Sequence, residues 1–177
     1  PAVNYGAIGG VIGHEMGHGF DDQGAKSDAH GVLRDWWNAN DVAAFTLVTD
    51  KLVAQYDAFS PLEGITVNGR LTLGENIGDN GGLQVSRHAY SLSLNGQAAP
   101  VIDGFTGDQR LFLGWAQAWR QNIRDEAVRN QVLTDPHSPA QYRCNGTVRN
   151  MDSWYEAFNI QPGDALYLAP ADRVTIW

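Results

Sequence analysis

Between Tyr5 and Phe20 the chain sets Gly6, Gly9, Gly10, Gly13 and Gly17 among the apolar residues Ile8, Val11, Ile12 and Met16. In a helix each glycine costs about 1 kcal/mol relative to alanine. A helix here therefore needs tertiary support, and its small residues let a neighbouring element pack close. Such support implies a folded body. The 177 residues, 43% hydrophobic and 18% charged, are enough to bury a core and correspond to one domain.

Charge and cysteine content narrow the functional classes. Twelve Lys and Arg against twenty Asp and Glu give a net charge of −8, with no basic run. That balance argues against nucleic acid or an anionic membrane as partner. No apolar stretch approaches the ~20 residues of a spanning helix. Cys144 is the single cysteine, which excludes an intrachain disulfide and a multi-cysteine zinc module. The opening Pro1-Ala2-Val3-Asn4-Tyr5-Gly6 has no initiator Met and no signal-like pattern, and reads as part of something longer.

The periodicities predict a mainly α chain with minor β. The clearest helix is 39–59, where Phe45, Val48, Leu52, Tyr56 and Phe59 recur at helical spacing before Ser60-Pro61. Residues 64–73 alternate weakly around Asn68-Gly69 and suggest a hairpin. A helix over 74–94 has the Gly81-Gly82 pair as its weak point. Thr106 and Gln109 form a capping box ahead of Phe112, Trp115 and Trp119. Ser138, Pro139 and Gln141 suggest a further cap, and Ser153 with Glu156 a last short helix.

Three clusters bear chemistry. In His14-Glu15-Met16-Gly17-His18, two imidazoles one turn apart face the same way on a helix. They suit one Zn²⁺, with Glu15 placed to work on a metal-bound water. Two surface histidines on a glycine-rich helix is the alternative. Leu73-Gly74-Glu75-Asn76-Ile77-Gly78-Asp79 offers Glu75 as a third ligand. Asp79, one turn on, can accept from a ligand histidine's free N–H. Asp135-Pro136-His137-Ser138-Pro139, followed by Arg143, places His137 before a helix start and Arg143 in its second turn. His137 is suited to an oxyanion and Arg143 to a carbonyl, although a histidine in this place is more often structural. Asp21-Asp22 either supports the metal helix or ends it. Trp36-Trp37, Trp115 and Trp154 read as core, Cys144 as a small buried thiol, and Asn145-Gly146-Thr147 as a glycosylation sequon.

These residues together resemble the C-terminal catalytic part of the neprilysin and endothelin-converting-enzyme family of zinc metallopeptidases, which includes bacterial members. The matching motifs are Asn4-Tyr5-Gly6, Val11 through Asp22, Gly74-Glu75-Asn76-Ile77 with Asp79 through Leu83, Phe112 with Ala116-Gln117 and Trp119, His137-Ser138-Pro139 with Arg143, and the closing Arg173 through Trp177. The resemblance implies a zincin, thermolysin-like catalytic domain binding one Zn²⁺. It would have His14, His18 and Glu75 as ligands, Glu15 as general base and Asp79 orienting His14. His137 would stabilise the tetrahedral intermediate, and Arg143 would hold the substrate carbonyl. Trp119, Ala118, Val11 and Gly10 would line the pocket for the residue after the scissile bond.

The resemblance also implies that residues 1–177 are the catalytic portion of a longer metallopeptidase. The substrate-aligning strand and the large helical lobe would lie upstream, outside this sequence. The expected function is a zinc-dependent endopeptidase acting on peptides, preferring an apolar residue after the scissile bond. The alternatives are a non-catalytic, zinc-containing peptide-binding module and an aminopeptidase. Expected partners are a peptide substrate, the upstream lobe of the same chain, and a second copy through an exposed cleft face. The family suggests an extracytoplasmic or membrane-tethered setting, with the cytoplasm open for a bacterial member.

Overall fold

The computed structural model describes residues 1–177. It is almost entirely helical: α1 (Ala2–Asn4), α2 (Gly10–Gly17), α3 (Ala39–Asp57), α4 (Leu73–Ser93), α5 (Gly107–Ala118), α6 (Asp125–Thr134), α7 (Ala140–Val148) and α8 (Asp152–Phe158). A π-helical segment, Tyr5–Gly9, joins α1 to α2, and a 3₁₀ turn, His18–Phe20, ends the run. The expected minor β content reduces to three isolated bridges: Ser27 with Leu33, Leu62 with Ile65, and Ile102 with Phe105. No helix is long and apolar enough to cross a membrane.

Helix α4 is the spine. Its Leu73 and Ile77 pack with Leu52, Val53, Tyr56, Val67, Tyr142 and Val174 in one core cluster. Its Leu83 and Tyr90 pack with Ala2, Leu111, Phe112, Trp115, Val148 and Met151 in the other. The Gly81-Gly82 pair does not interrupt it, because close packing supplies what glycine lacks in propensity. A Cβ on Gly13 of α2 would lie 2.6 Å from the Gly82 carbonyl oxygen. A Cβ on Gly82 would strike the His14 backbone nitrogen and lie 2.8 Å from the Gly10 carbonyl oxygen. The two helices therefore meet backbone to backbone along a glycine seam. This is the tertiary support that the Tyr5–Phe20 segment requires.

Several local expectations need correction. Residues 64–73 form a turn rather than a hairpin. Asn68 Oδ1 accepts from the Leu71 N–H (3.0 Å), and the Asn68 carbonyl from the Thr72 N–H (3.0 Å) and hydroxyl (3.1 Å). A short amide side chain satisfying nearby backbone competes with ladder pairing. Helix α3 ends at Asp57, and its Asn38 cap accepts from the N–H groups of Asn40 and Asp41. The Thr106–Gln109 capping box is present in both directions. Neither Ser138 nor Ser153 caps a helix: α7 follows Pro139 and α8 follows Met151, both without side-chain caps. Helix α6 has no sequence signature because Val128 is its one buried residue.

Among the tryptophans, Trp115 is fully buried, but Trp36 is 42% exposed. Phe45 stacks on Trp177 and Trp37 meets both edge-on, around a cavity of about 410 Å³ that Trp36 also lines. In the Asn145-Gly146-Thr147 sequon, Thr147 is buried within α7.

Candidate active site

The glycine seam fixes what faces what. A Cβ on Gly78 would lie 2.7 Å from His14 Nδ1, so α4 presents bare backbone to the imidazole. With the helices this close, His14 and His18 on one side meet Glu75 and Asp79 on the other. His14 Nε2 is 3.1 Å from Glu75 Oε2, and His18 Nε2 is 3.7 Å from Glu75 Oε1. One ligand atom from each of the three residues falls within 4.8 Å of the others.

The far nitrogen of each imidazole is anchored. His14 Nδ1 is 2.8 Å from Asp79 Oδ1, and His18 Nδ1 is 2.7 Å from Asp21 Oδ2. A carboxylate at Nδ1 fixes the tautomer that directs the Nε2 lone pair to the cluster. Asp21 is itself held, its Oδ1 accepting from the N–H groups of Gln23 and Gly24. Asp21 thus ends the helical run after the 3₁₀ turn and at the same time holds the His18 ring.

Burial by itself would lower the His14 pKa. Its bond to Asp79, its close contact with Glu75 and the Asp79 charge outweigh this and raise it to about 9. Burial pushes Glu75 up, but the adjoining His14 ring and the charges of the surrounding histidines hold its carboxyl below the usual range.

The arrangement fits a zinc ion. Two imidazole nitrogens and one carboxylate oxygen, all convergent, form the donor set of a catalytic zinc site that leaves a position open. Glu75 Oε2 is buried and makes no hydrogen bond, although it lies 3.1 Å from His14 Nε2 and 3.1 Å from His137 Nε2. An orphaned buried carboxylate oxygen facing two imidazoles is a site wanting a cation.

His137 approaches from the segment before α7. Its Nδ1 is 2.7 Å from Asp135 Oδ1, and its backbone N–H donates to the same oxygen (2.9 Å). These contacts, the backbone bond foremost, hold the Asp135 carboxyl below its ordinary range. Arg143 lies in α7. Its Nε donates to Asp79 Oδ2 (2.7 Å) and its Nη2 to Asp79 Oδ1 (2.8 Å), and its guanidinium sits 4.2 Å over the Trp119 ring. Burial disfavours the Arg143 charge, but Asp79 more than restores it. Asp79 thus serves His14 and Arg143 at once.

The remaining predicted site residues divide. Glu15 is exposed on α2 and makes no ion pair, one position from the buried His14. Trp119 and Val11 are half-buried and Ala118 is exposed. Gly10 is buried, and its Cβ direction runs into Trp115 and Leu83. Sequence reasoning passed over Asn76, which follows Glu75 and bonds Ser138. Its signal was a buried amide in the acidic motif, visible only once the fold brings α7 alongside.

Comparison with known proteins bears on this geometry. The family described as Peptidase family M13 matches residues 1–174. Mouse endothelin-converting enzyme 1 is 42% identical over 180 residues, covering 99% of this chain and 23% of that protein. Neprilysin-1 of Caenorhabditis elegans is 41% identical over 183 residues, covering 99% of this chain and 24% of that protein. Among solved structures, the Mycobacterium tuberculosis zinc metalloprotease Zmp1 in complex with inhibitor superposes with a TM-score of 0.97 at 54% identity, covering 99% of this chain and 28% of that one. PepO from Lactobacillus rhamnosis superposes at 0.86 with 40% identity, covering 99% and 26% respectively. The chain spans about a quarter of the length of these curated relatives.

Proposed function

The chain belongs to Peptidase family M13, and from that premise we propose that it is the metal-bearing catalytic portion of a zinc-dependent endopeptidase. The observation that carries the reading is the convergence of His14, His18 and Glu75, with both Nδ1 atoms tied to carboxylates. His14, His18 and Glu75 would hold one Zn²⁺. When bound, the metal lowers the pKa of a coordinated water toward ~7 and polarises a carbonyl.

The chain's own residues supply the rest. Glu15, next to a ligand but not one itself, accepts the proton of the attacking water and delivers it to the leaving amine. His137, oriented by Asp135, donates a hydrogen bond to the oxyanion that develops on the carbonyl. Arg143 commits Nε and Nη2 to Asp79 and keeps Nη1 for a substrate carbonyl. Trp119, Ala118, Val11 and Gly10, which the family resemblance assigns to the pocket for the residue after the scissile bond, would favour an apolar side chain there. Ile8, Ile12 and Met16 leave an apolar stripe along the π-helical segment and α2 that is 58%, 55% and 70% exposed. This stripe suits cover by the upstream part of the same chain.

The test separates metal binding from turnover. Glu15→Gln should keep zinc at one per chain and lower kcat by ~10²–10⁴-fold, since an amide cannot accept the proton. Near-normal turnover with zinc bound would refute the role of Glu15. Absence of zinc uptake by the unaltered protein would refute the site.

A further inference from the structure

Ser138 and Asn76 stand beside two groups of the proposed reaction: Ser138 follows His137, and Asn76 follows Glu75. The Ser138 hydroxyl donates to Asn76 Oδ1 at 2.9 Å, with both residues only 1% exposed. Asn76 Nδ2 in turn donates to the Thr72 hydroxyl (2.9 Å), which donates to the Asn68 carbonyl (3.1 Å). The chain of bonds is directional and engages both polar atoms of the Asn76 side chain. It starts at the segment holding His137 and ends in the turn that launches α4.

That segment has few other holds close to the imidazole. Asp135 bonds His137 from within the same segment and moves with it. Gln131 reaches the His137 carbonyl at 3.3 Å from α6. Arg143 ties α7 to Asp79, but further along the helix. The Ser138–Asn76 bond is the tie between the backbone next to His137 and the helix that carries Glu75. Across it, His137 Nε2 and Glu75 Oε2 are 3.1 Å apart.

We propose that Ser138 and Asn76 are positioning residues whose buried hydrogen bond sets the His137 imidazole over the proposed zinc site. The proposal rests on the reading of His137 as the oxyanion donor. A catalytic hydrogen-bond donor must be placed to within a fraction of an ångström, and displacement by about 1 Å can cost ~100-fold in rate.

The experiment is a double-mutant cycle in the zinc-loaded full-length protein. Ser138→Ala should lower kcat by about 10–100-fold, with KM within about 3-fold and zinc content unchanged. In a His137→Ala background the same substitution should change kcat by less than about 2-fold, because there is no imidazole left to position. Ser138→Cys, similar in volume and a weak donor, should fall between wild type and Ser138→Ala; it also serves if Ser138→Ala fails to fold. A readout independent of turnover is the His137 ring signal in ¹H–¹³C spectra. It should shift or broaden in Ser138→Ala while the His14 and His18 signals hold. Equal losses of kcat in both backgrounds would make Ser138 a general structural residue and overturn the proposal, as would an unchanged kcat and His137 signal. A wild-type protein that binds zinc but shows no peptidase activity would instead refute the underlying functional reading. The ring signal would still report on the positioning.

Discussion

Substituting Gly82 by alanine tests whether the glycine seam builds the site. The new Cβ would strike the His14 nitrogen, and would stand 2.7 Å from the His14 Cα and 2.8 Å from the Gly10 carbonyl oxygen. All three atoms are backbone, so no side chain can swing aside. Carbon contacts settle near ~3.5–4.0 Å, so α2 and α4 must part by about 1 Å. Overpacking of this kind costs about 1–3 kcal/mol, against a helix-propensity gain of at most about 1 kcal/mol. For a chain of this size each kcal/mol lowers Tm by about 2–4 °C.

The parting also acts on the ligands, because His14 moves away from both Glu75 and Asp79. Zinc affinity should fall by about 10–100-fold, the range seen when the partners of a metal ligand are disturbed. Thermal unfolding of the metal-free protein reads the first effect, and competition titration with a zinc-sensitive dye reads the second. Gly17→Ala is the control. Its Cβ would meet Gly78 Cα at an ordinary 3.7 Å, so it should leave zinc affinity unchanged and Tm level or slightly higher. Gly82→Ala with wild-type Tm and zinc affinity would refute the claim that backbone contact sets the ligand geometry.

Two further outcomes follow from the buried charges. Asp79→Ala strands Arg143 and unties His14 at once. It should cost about 3–5 kcal/mol in urea unfolding, and a loss under 1 kcal/mol would show that the pair contributes little. Burial, then the nearby Asp79 charge, pushes the Cys144 thiol up to about 11. At pH 8 iodoacetamide should therefore modify it ~200-fold more slowly than a thiol of pKa 8.5, the rate climbing about tenfold per pH unit toward 11. A midpoint near 8.5 would contradict the assigned environment.

The legible parts of the fold were those whose signals are local. The apolar spacing of Phe45, Val48, Leu52 and Tyr56 located α3, and the reciprocal Thr106–Gln109 pair located the start of α5. Where two local signals compete, the outcome depended on partners distant in sequence. Ser138 had the residue type of a cap, but its hydroxyl is taken by Asn76 across the molecule. Asn68-Gly69 had the look of a hairpin turn. The Asn68 amide oxygen instead accepts from Leu71, and the chain runs directly into α4. Glycines 78, 81 and 82 weaken a helix by propensity, yet they lie in the most deeply buried stretch of α4. Burial against α2 decides there, and no scale of local preference contains it.

The site was legible in a different sense. Metal chemistry restricts which residues can serve and how far apart they stand, so type and spacing pointed to His14, His18 and Glu75, which the fold brings together. What orients them was only partly so. Asp21 and Asp79 were candidates from their positions. The sharing of Asp79 between His14 and Arg143 follows from α7 lying against α4, which no spacing encodes. That sharing has a consequence for the energetics. Asp79 is 1% exposed, and a carboxylate so buried is tolerable only with its lone pairs used and its charge opposed. The two bonds from Arg143 do both, and Asp79 Oδ1 also meets His14 Nδ1 at 2.8 Å. Arg143 thereby serves the proposed zinc site through Asp79, besides its proposed hold on a substrate carbonyl. Its removal should weaken metal binding and not substrate affinity alone.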